Sequence, residues 1–207
     1  MKTAIVHDWL TGMRGGEKVL EQLCSLYPAA DIYTLIYDPL KITGRIKEHR
    51  VFTSFLQRIP GILKNYRNFL PLFPAAVESF NLKAYDLVIS SSHCVAKGAK
   101  AASPERHVCY CHTPMRYAWD QFSGYFSKER TGRLKYGLIS AVMPVLRKWD
   151  VNTASRAGHF AANSNHVRNR INKYYGRDAA VVYPPVDTEF YTPPVKKRKK
   201  GYCLMVT

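Results

Sequence analysis

The sequence predicts an α/β domain built on a doubly wound parallel sheet of about seven strands, and three observations predict it. Short apolar runs recur along the chain, each bounded by turn residues. Segments with helical spacing lie between most of them, and the fourth run is nearly continuous in apolar residues at its start, as strands covered on both faces are. A length of 207 residues is ample for one domain with a full hydrophobic core, and 46% hydrophobic with 13% aromatic residues is an ordinary globular composition. No stretch approaches the roughly 18 to 20 uninterrupted apolar residues that a membrane-spanning helix needs. The run from Met1 to Val6 is too short for a signal peptide and meets His7 and Asp8 at once, so the expected mature chain begins at Met1 or the residue after it.

Taken in order, Thr3–Val6 is the first strand. It ends at His7-Asp8-Trp9, and a loop holding Gly12, Gly15 and Gly16 leads into a helix, because Val19, Leu20, Leu23 and Leu26 recur on one helical face. Asp31–Tyr37 alternates as a second strand and Val51–Leu56 forms a third. Asp86–Ser92 is the fourth, Arg106–His112 the fifth, His159–Asn163 the sixth and Ala179–Tyr183 the seventh. Helices are expected over about 128–149 and 165–175, the latter capped by Ser164. After Pro184-Pro185-Val186-Asp187 the chain passes Pro193-Pro194 and the basic run Lys196–Lys200, a linker composition, and then opens a new apolar strand at Tyr202–Val206. The expected organisation is a domain over 1–190, a basic linker over 191–201 and the start of a second, truncated domain at 202–207. The alternative is a terminal strand that folds back onto the domain's own sheet edge.

Five cysteines, odd in number and scattered, with no CxxC pair, read as reduced thiols of an intracellular protein. The cluster from His107 to His112 invites a zinc reading. Strand geometry opposes it: His107, Cys109 and Cys111 point to one face while Tyr110 and His112 point to the other, so no metal is expected.

In an open parallel sheet ligands bind beyond the carboxyl ends of the strands. Gly15, Gly16 and Glu17 open the first helix there, where close backbone approach and free N–H groups suit a phosphate. The spacing Gly12-x-x-Gly15-Gly16 matches neither GxGxxG nor GxxxxGK[ST], which excludes the dinucleotide-oxidoreductase and P-loop readings. A simple strand-to-helix turn is the structural alternative. After the fifth strand, Pro114 fixes the direction in which His112 leaves the sheet, Arg116 adds a planar donor fork, and Tyr117 and Trp119 offer flat surfaces to a sugar ring or lipid. Asn163 and Ser164 after the sixth strand, and Ser90-Ser91-Ser92-His93 after the fourth, are explained equally well as structural or as lining the crevice.

Four landmarks in order, Gly15-Gly16-Glu17, Tyr110 through Asp120, Asn163-Ser164 and Tyr183 through Asp187, give a resemblance over about residues 1 to 190. The chain resembles the N-terminal, acceptor-side domain of GT-B glycosyltransferases of the retaining family 4, and is most similar to bacterial enzymes that add mannose or related sugars in O-antigen and exopolysaccharide assembly. The resemblance implies a Rossmann-like fold, with Gly15, Gly16 and Glu17 forming the donor diphosphate loop. It makes His112 the catalytic residue, in contact with the transferred sugar or the acceptor. Arg116, Tyr117, Trp119, Asp120, Asn163 and Ser164 would bind the acceptor, often a polyprenyl-diphosphate glycan. A nucleotide sugar such as GDP-mannose would be the co-substrate, with no metal and no protein nucleophile. The main nucleotide-sugar site would lie in the second domain, so the chain alone is expected to be inactive.

Lys and Arg number 31 against 15 Asp and Glu, a net charge of +16. Basic residues cluster in Lys41–Arg67, Lys128–Lys148 and the linker, and the segment Ile59–Pro74 mixes them with Ile, Leu and aromatics. That composition suits an anionic membrane surface, or a core segment with a solvated charged face. A peripheral position on the cytoplasmic side of the plasma membrane, serving a lipid-linked glycan acceptor, is the expectation. The alternative is a basic nucleic-acid-binding α/β module; no recognition helix, RNP-like strand or zinc module accompanies the charge, and no nucleic-acid partner is expected.

Overall fold

In the computed structural model, described for residues 1–126 and 132–192, seven parallel strands form one sheet in the order β3-β2-β1-β4-β5-β6-β7. They are β1 Thr3–His7, β2 Asp31–Thr34, β3 Val51–Thr53, β4 Leu87–Ser92, β5 His107–Cys111, β6 His159–Ala162 and β7 Ala180–Val181. The doubly wound, Rossmann-like sheet expected from the sequence is the one observed. The linker and the second-domain start, from 193 onward, lie outside the described residues, as do 128–131 of the helix expected over 128–149.

Alternation assigns the two faces. Ile5, Ile32 and Ile89 stand in register on neighbouring strands and pack against Leu20 and Cys24 of α1 (Gly15–Leu26). Ala4, Val6 and Val88 point the other way, onto Phe73, Ala76 and Val77 of α2 (Phe73–Glu78) and Met143 and Leu146 of α3 (Arg133–Asn152). Cys109 and Cys111 continue that face toward Val167, Ile171 and Tyr175 of α4 (Asn165–Tyr175), buried as thiols of the core.

Three strands are shorter than their apolar runs. β2 stops at Thr34 because the N–H of Leu35 turns to the carbonyl of Asp8. β3 stops at Thr53 because the Ser54 hydroxyl accepts from the N–H of Leu56 at 3.2 Å and starts a 3₁₀ turn over Phe55–Arg58. β7 keeps two residues before the chain reaches Pro184, which has no N–H for a ladder.

The segment Ile59–Pro74 sends Ile62, Tyr66 and Phe73 into the core, where Trp9 packs on Tyr66 and Phe73 at 5.3 and 5.9 Å between ring centres. The core reading accounts for these residues, and leaves Leu63 and Leu72, 36% and 43% exposed, beside the exposed Lys64 and Arg67.

Two buried charges tie loops to the sheet. Asp8, at the end of β1, accepts the N–H groups of His93, Cys94, Val95 and Ala96 at 2.7–2.9 Å and the ring of His93 at 3.0 Å. Burial opposes its ionisation, but His93 outweighs burial and holds the carboxyl well below the usual carboxylate range. Lys97 and Asp150 are both buried, 3.0 Å apart, and Asp150 also accepts from Trp119 at 2.8 Å and Tyr175 at 3.0 Å. The turn after β4, the loop after β5, α3 and α4 therefore meet on one carboxylate.

Burial also keeps two imidazoles neutral. It lowers His107, bonded to Ser90 at 2.8 Å and to the Arg156 carbonyl at 3.2 Å, to about 4, and His112 to about 3. An unfolded histidine titrates near 6.5, so the unfolded chain takes up protons that the folded one refuses. The stabilisation is full above about pH 6.5 and falls away as the pH drops toward the folded values. Urea unfolding between pH 8 and 5 should show a flat region that declines below about 6.5, and His107→Gln should reduce that decline.

Candidate functional site

The chain runs outward through β1, β2 and β3 on one side of the sheet and through β4 to β7 on the other, so the strand order reverses between β1 and β4. Ligand crevices in such sheets open at that point, beyond the carboxyl ends of the strands. His7 and Asp8 stand there at the end of β1, Ser91, Ser92 and His93 at the end of β4, and His112 just past β5. His7 pairs with Ser91 and Ser91 with Tyr110 in register, so His7, Ser91, Tyr110 and, two residues on, His112 share one face of the sheet.

Ser91 Oγ lies 3.1 Å from His7 Nδ1 and 2.8 Å from His112 Nε2. The His93 ring centre is 6.4 Å from that of His112 and packs edge-on against Trp9 at 4.4 Å. Burial keeps His112 neutral against the opposing pull of Asp8 and Glu17. A neutral ring here can receive or donate a hydrogen bond without bringing a full charge beside a sugar.

The first turn of α1 closes the other side. Glu17 is buried, accepts the Arg14 N–H at 3.0 Å and stands 3.9 Å from His7 Nε2. Burial opposes its charge, yet His7 and the N–H groups of Glu17 and Arg14 hold the carboxyl below its ordinary value. Its cap on Arg14 leaves Gly15 and Gly16 at the first turn, where their N–H groups have no intrahelical acceptor. Neither glycine has a positive φ, so the backbone conformation requires glycine at neither position. A Cβ at Gly16 would stand 3.6 Å from His7 Cε1 and 3.8 Å from His112 Nε2, and one at Gly15 would meet nothing within 4 Å.

The remaining residues expected from the sequence separate into two groups. Arg116 and Asp120 are exposed and border a cavity of about 430 Å³ with Thr113, His166 and Arg170, and Asp120 is ion-paired to Arg170 at 2.5 Å. Tyr117 and Trp119 are half-buried. The Tyr117 hydroxyl donates to Cys94 Sγ, while the Trp119 indole N–H donates to Asp150 and its ring stacks on Tyr174 at 4.6 Å. Their polar ends are thus committed to the interior. Ser164 caps α4 by accepting the Val167 N–H at 3.2 Å, and its hydroxyl donates to Asn163 Oδ1 at 3.0 Å. Of the other residues at the site, the pattern does not single out His7 and Asp8, and it leaves Ser91 and His93 open between a structural role and the crevice. Their signal is position, polar groups closing apolar strands on either side of the reversal in strand order.

Residues 13–190 match the family model described as Glycosyltransferase Family 4, most of the chain. The chain belongs to Glycosyltransferase Family 4. No curated protein matches it. Among solved structures, this family 4 chain is similar to HepE of Anabaena in complex with UDP, at 16% identity and a TM-score of 0.55, with 94% of this chain and 47% of that one covered. HepE with UDP and glucose gives 17% identity and 0.54, with 94% and 48% covered. The apo form of WaaB, a lipopolysaccharide outer core galactosyltransferase, gives 16% and 0.46, with 96% and 50% covered. The family 4 chain spans about half the length of the structures it matches, and at these identities the likeness concerns the fold.

Proposed function

We propose that this chain is the acceptor-side half of a GT-B glycosyltransferase that moves a hexose, mannose from GDP-mannose in the first instance, onto a lipid-linked glycan with retention of configuration. The observation that carries the proposal is the meeting of two elements at the reversal point, the open helix mouth at Gly15 and Gly16 and the neutral His112 ring, in a family 4 chain. The N–H groups of α1 and the helix's partial positive charge suit the donor diphosphate, which gains negative charge as the sugar leaves. His112 meets the sugar or the attacking hydroxyl beside it. HepE, of similar fold, has been crystallised with UDP and with UDP and glucose, which supports a nucleotide sugar as co-substrate.

The cavity between the β5 loop and α4 holds the acceptor, with Arg116 toward its diphosphate. Positioning, not a protein nucleophile or a metal, is the chain's contribution to rate. Among the described residues no helix is long and apolar enough to cross a membrane, and contact with an anionic cytoplasmic leaflet falls to the basic surface around Leu63, Lys64, Arg67 and Leu72. The nucleotide-sugar half is supplied from outside residues 1–190, so the isolated chain is inactive.

The acceptor assignment is tested with Arg116→Ala in an enzyme carrying both halves. Loss of one charge-assisted hydrogen bond is worth about 1.5–3 kcal/mol, so acceptor KM is expected to rise about 10- to 100-fold with donor KM unchanged. A change confined to donor KM contradicts the assignment.

A further inference from the structure

The structure assigns a relay, the Glu17 carboxylate facing His7 and the hydrogen bonds His7–Ser91–His112, that sets the tautomer of His112 and leaves its Nδ1 as an acceptor for a ligand hydroxyl. The inference deepens the function proposed above and rests on it for what the hydroxyl belongs to; the tautomer itself is a property of this chain alone.

Ser91 is fully buried and its hydroxyl carries one hydrogen, yet it stands within bonding distance of two imidazole nitrogens, His7 Nδ1 at 3.1 Å and His112 Nε2 at 2.8 Å. It can donate to one and must accept from the other. Which way it turns is decided at His7. The ring is buried, and among the described residues its Nε2 has no hydrogen-bond partner and stands 3.9 Å from the Glu17 carboxylate. A lone pair there would face negative charge in a site of low polarisability, whereas an N–H is attracted to it. With a single proton, held on Nε2, His7 offers Nδ1 as an acceptor. Ser91 then donates to His7 and accepts from His112, so His112 carries its proton on Nε2. The remaining polar atom of that ring, Nδ1, holds a lone pair and has no hydrogen-bond partner among the described residues.

Glu17, His7 and Ser91 are therefore positioning residues, acting through His112. They choose a ligand group that donates, and a sugar or acceptor hydroxyl does so where a phosphate oxygen cannot. The arrangement also explains why Glu17 turns inward. One oxygen of its carboxylate faces His7 while the other caps the first turn of α1 through the Arg14 N–H.

Heteronuclear NMR of the imidazole nitrogens in chain 1–207 reads the tautomers directly. The wild type is expected to show His112 as a single, neutral Nε2–H form and His7 likewise protonated on Nε2. Ser91→Ala should release His112 into a mixture of both neutral forms. Glu17→Gln, which keeps the shape and removes the charge, should weaken the bias at His7. An Nδ1–H form at His112, or an imidazolium at His7 that donates from both nitrogens, overturns the inference on the wild type alone, even where Ser91→Ala does not fold. An unchanged tautomer in folded Ser91→Ala overturns the part assigned to Ser91. The outcome is independent of activity. Should the tautomers be as stated while His112→Ala retains full sugar transfer, the proposed function fails and the hydrogen-bond chain stands.

Discussion

His112→Ala, in an enzyme carrying both halves, is expected to lower kcat for sugar transfer by about 10²- to 10³-fold, the loss that follows removal of one preorganised group at a reacting centre. Substrate binding at the nucleotide should be little changed, because the proposed function assigns the base and ribose to the other half. Among the described residues the ring is hydrogen-bonded through Nε2 alone, to Ser91, so the substitution removes little of the core and the variant should remain folded. Steady-state kinetics with saturating donor separates the two effects. A kcat within about 3-fold of wild type, roughly 0.7 kcal/mol, would place the chemistry away from the carboxyl ends of β1, β4 and β5.

Lys97→Met is expected to destabilise the domain by about 3–5 kcal/mol, because it leaves the carboxylate of Asp150 buried without its cation. The pair is enclosed completely, and the Lys97 ammonium also donates to Thr153 Oγ1 at 2.9 Å and lies 4.8 Å from the centre of the Tyr175 ring. Methionine fills the volume of the lysine stem and so isolates the charge as the cause. Urea unfolding at pH 7 should show a lower midpoint with an unchanged slope. A loss below about 1 kcal/mol would mean that Trp119 and Tyr175 alone satisfy Asp150. The cluster lies outside the reacting centre but joins the loop that carries Arg116 to α3 and α4. Partial loss of acceptor affinity is therefore expected at temperatures where the variant is still folded.

The parallel sheet and its seven strands were legible because each strand carries its own signal, an apolar run long enough to stand out from its neighbours. Their ends were not. The carbonyl of Asp8 ends β2 through a hydrogen bond made across the fold, which no local spacing records, and Ser54 ends β3 by capping the turn two residues on. The same division holds at the site. Gly15, Gly16 and His112 were visible as residue types that need a reason to follow a strand. Ser91 and His7 have plain structural explanations in one dimension, and become a pair only when β1 and β4, 84 residues apart in the chain, lie side by side. Tyr117 and Trp119 mark the opposite case. Their aromatic character stood out in the loop, but the chain folds back so that their polar ends reach Cys94 and Asp150. The basic, apolar segment Ile59–Pro74 resolved in part toward the core for the same reason, since Trp9 was there to receive Tyr66 and Phe73.

The central claim is that the open mouth of α1 and the His112 ring serve sugar transfer to a lipid-linked acceptor. It is tested most directly by incubating an enzyme carrying both halves with a panel of nucleotide sugars and a polyprenyl-diphosphate glycan, then reading the anomeric configuration of the product. The account predicts transfer of a hexose from one nucleotide sugar with retention, none from residues 1–207 alone, and none to speak of after His112→Ala. Full transfer by His112→Ala, or no transfer together with tight, salt-dependent binding of the chain to DNA or RNA, would contradict it.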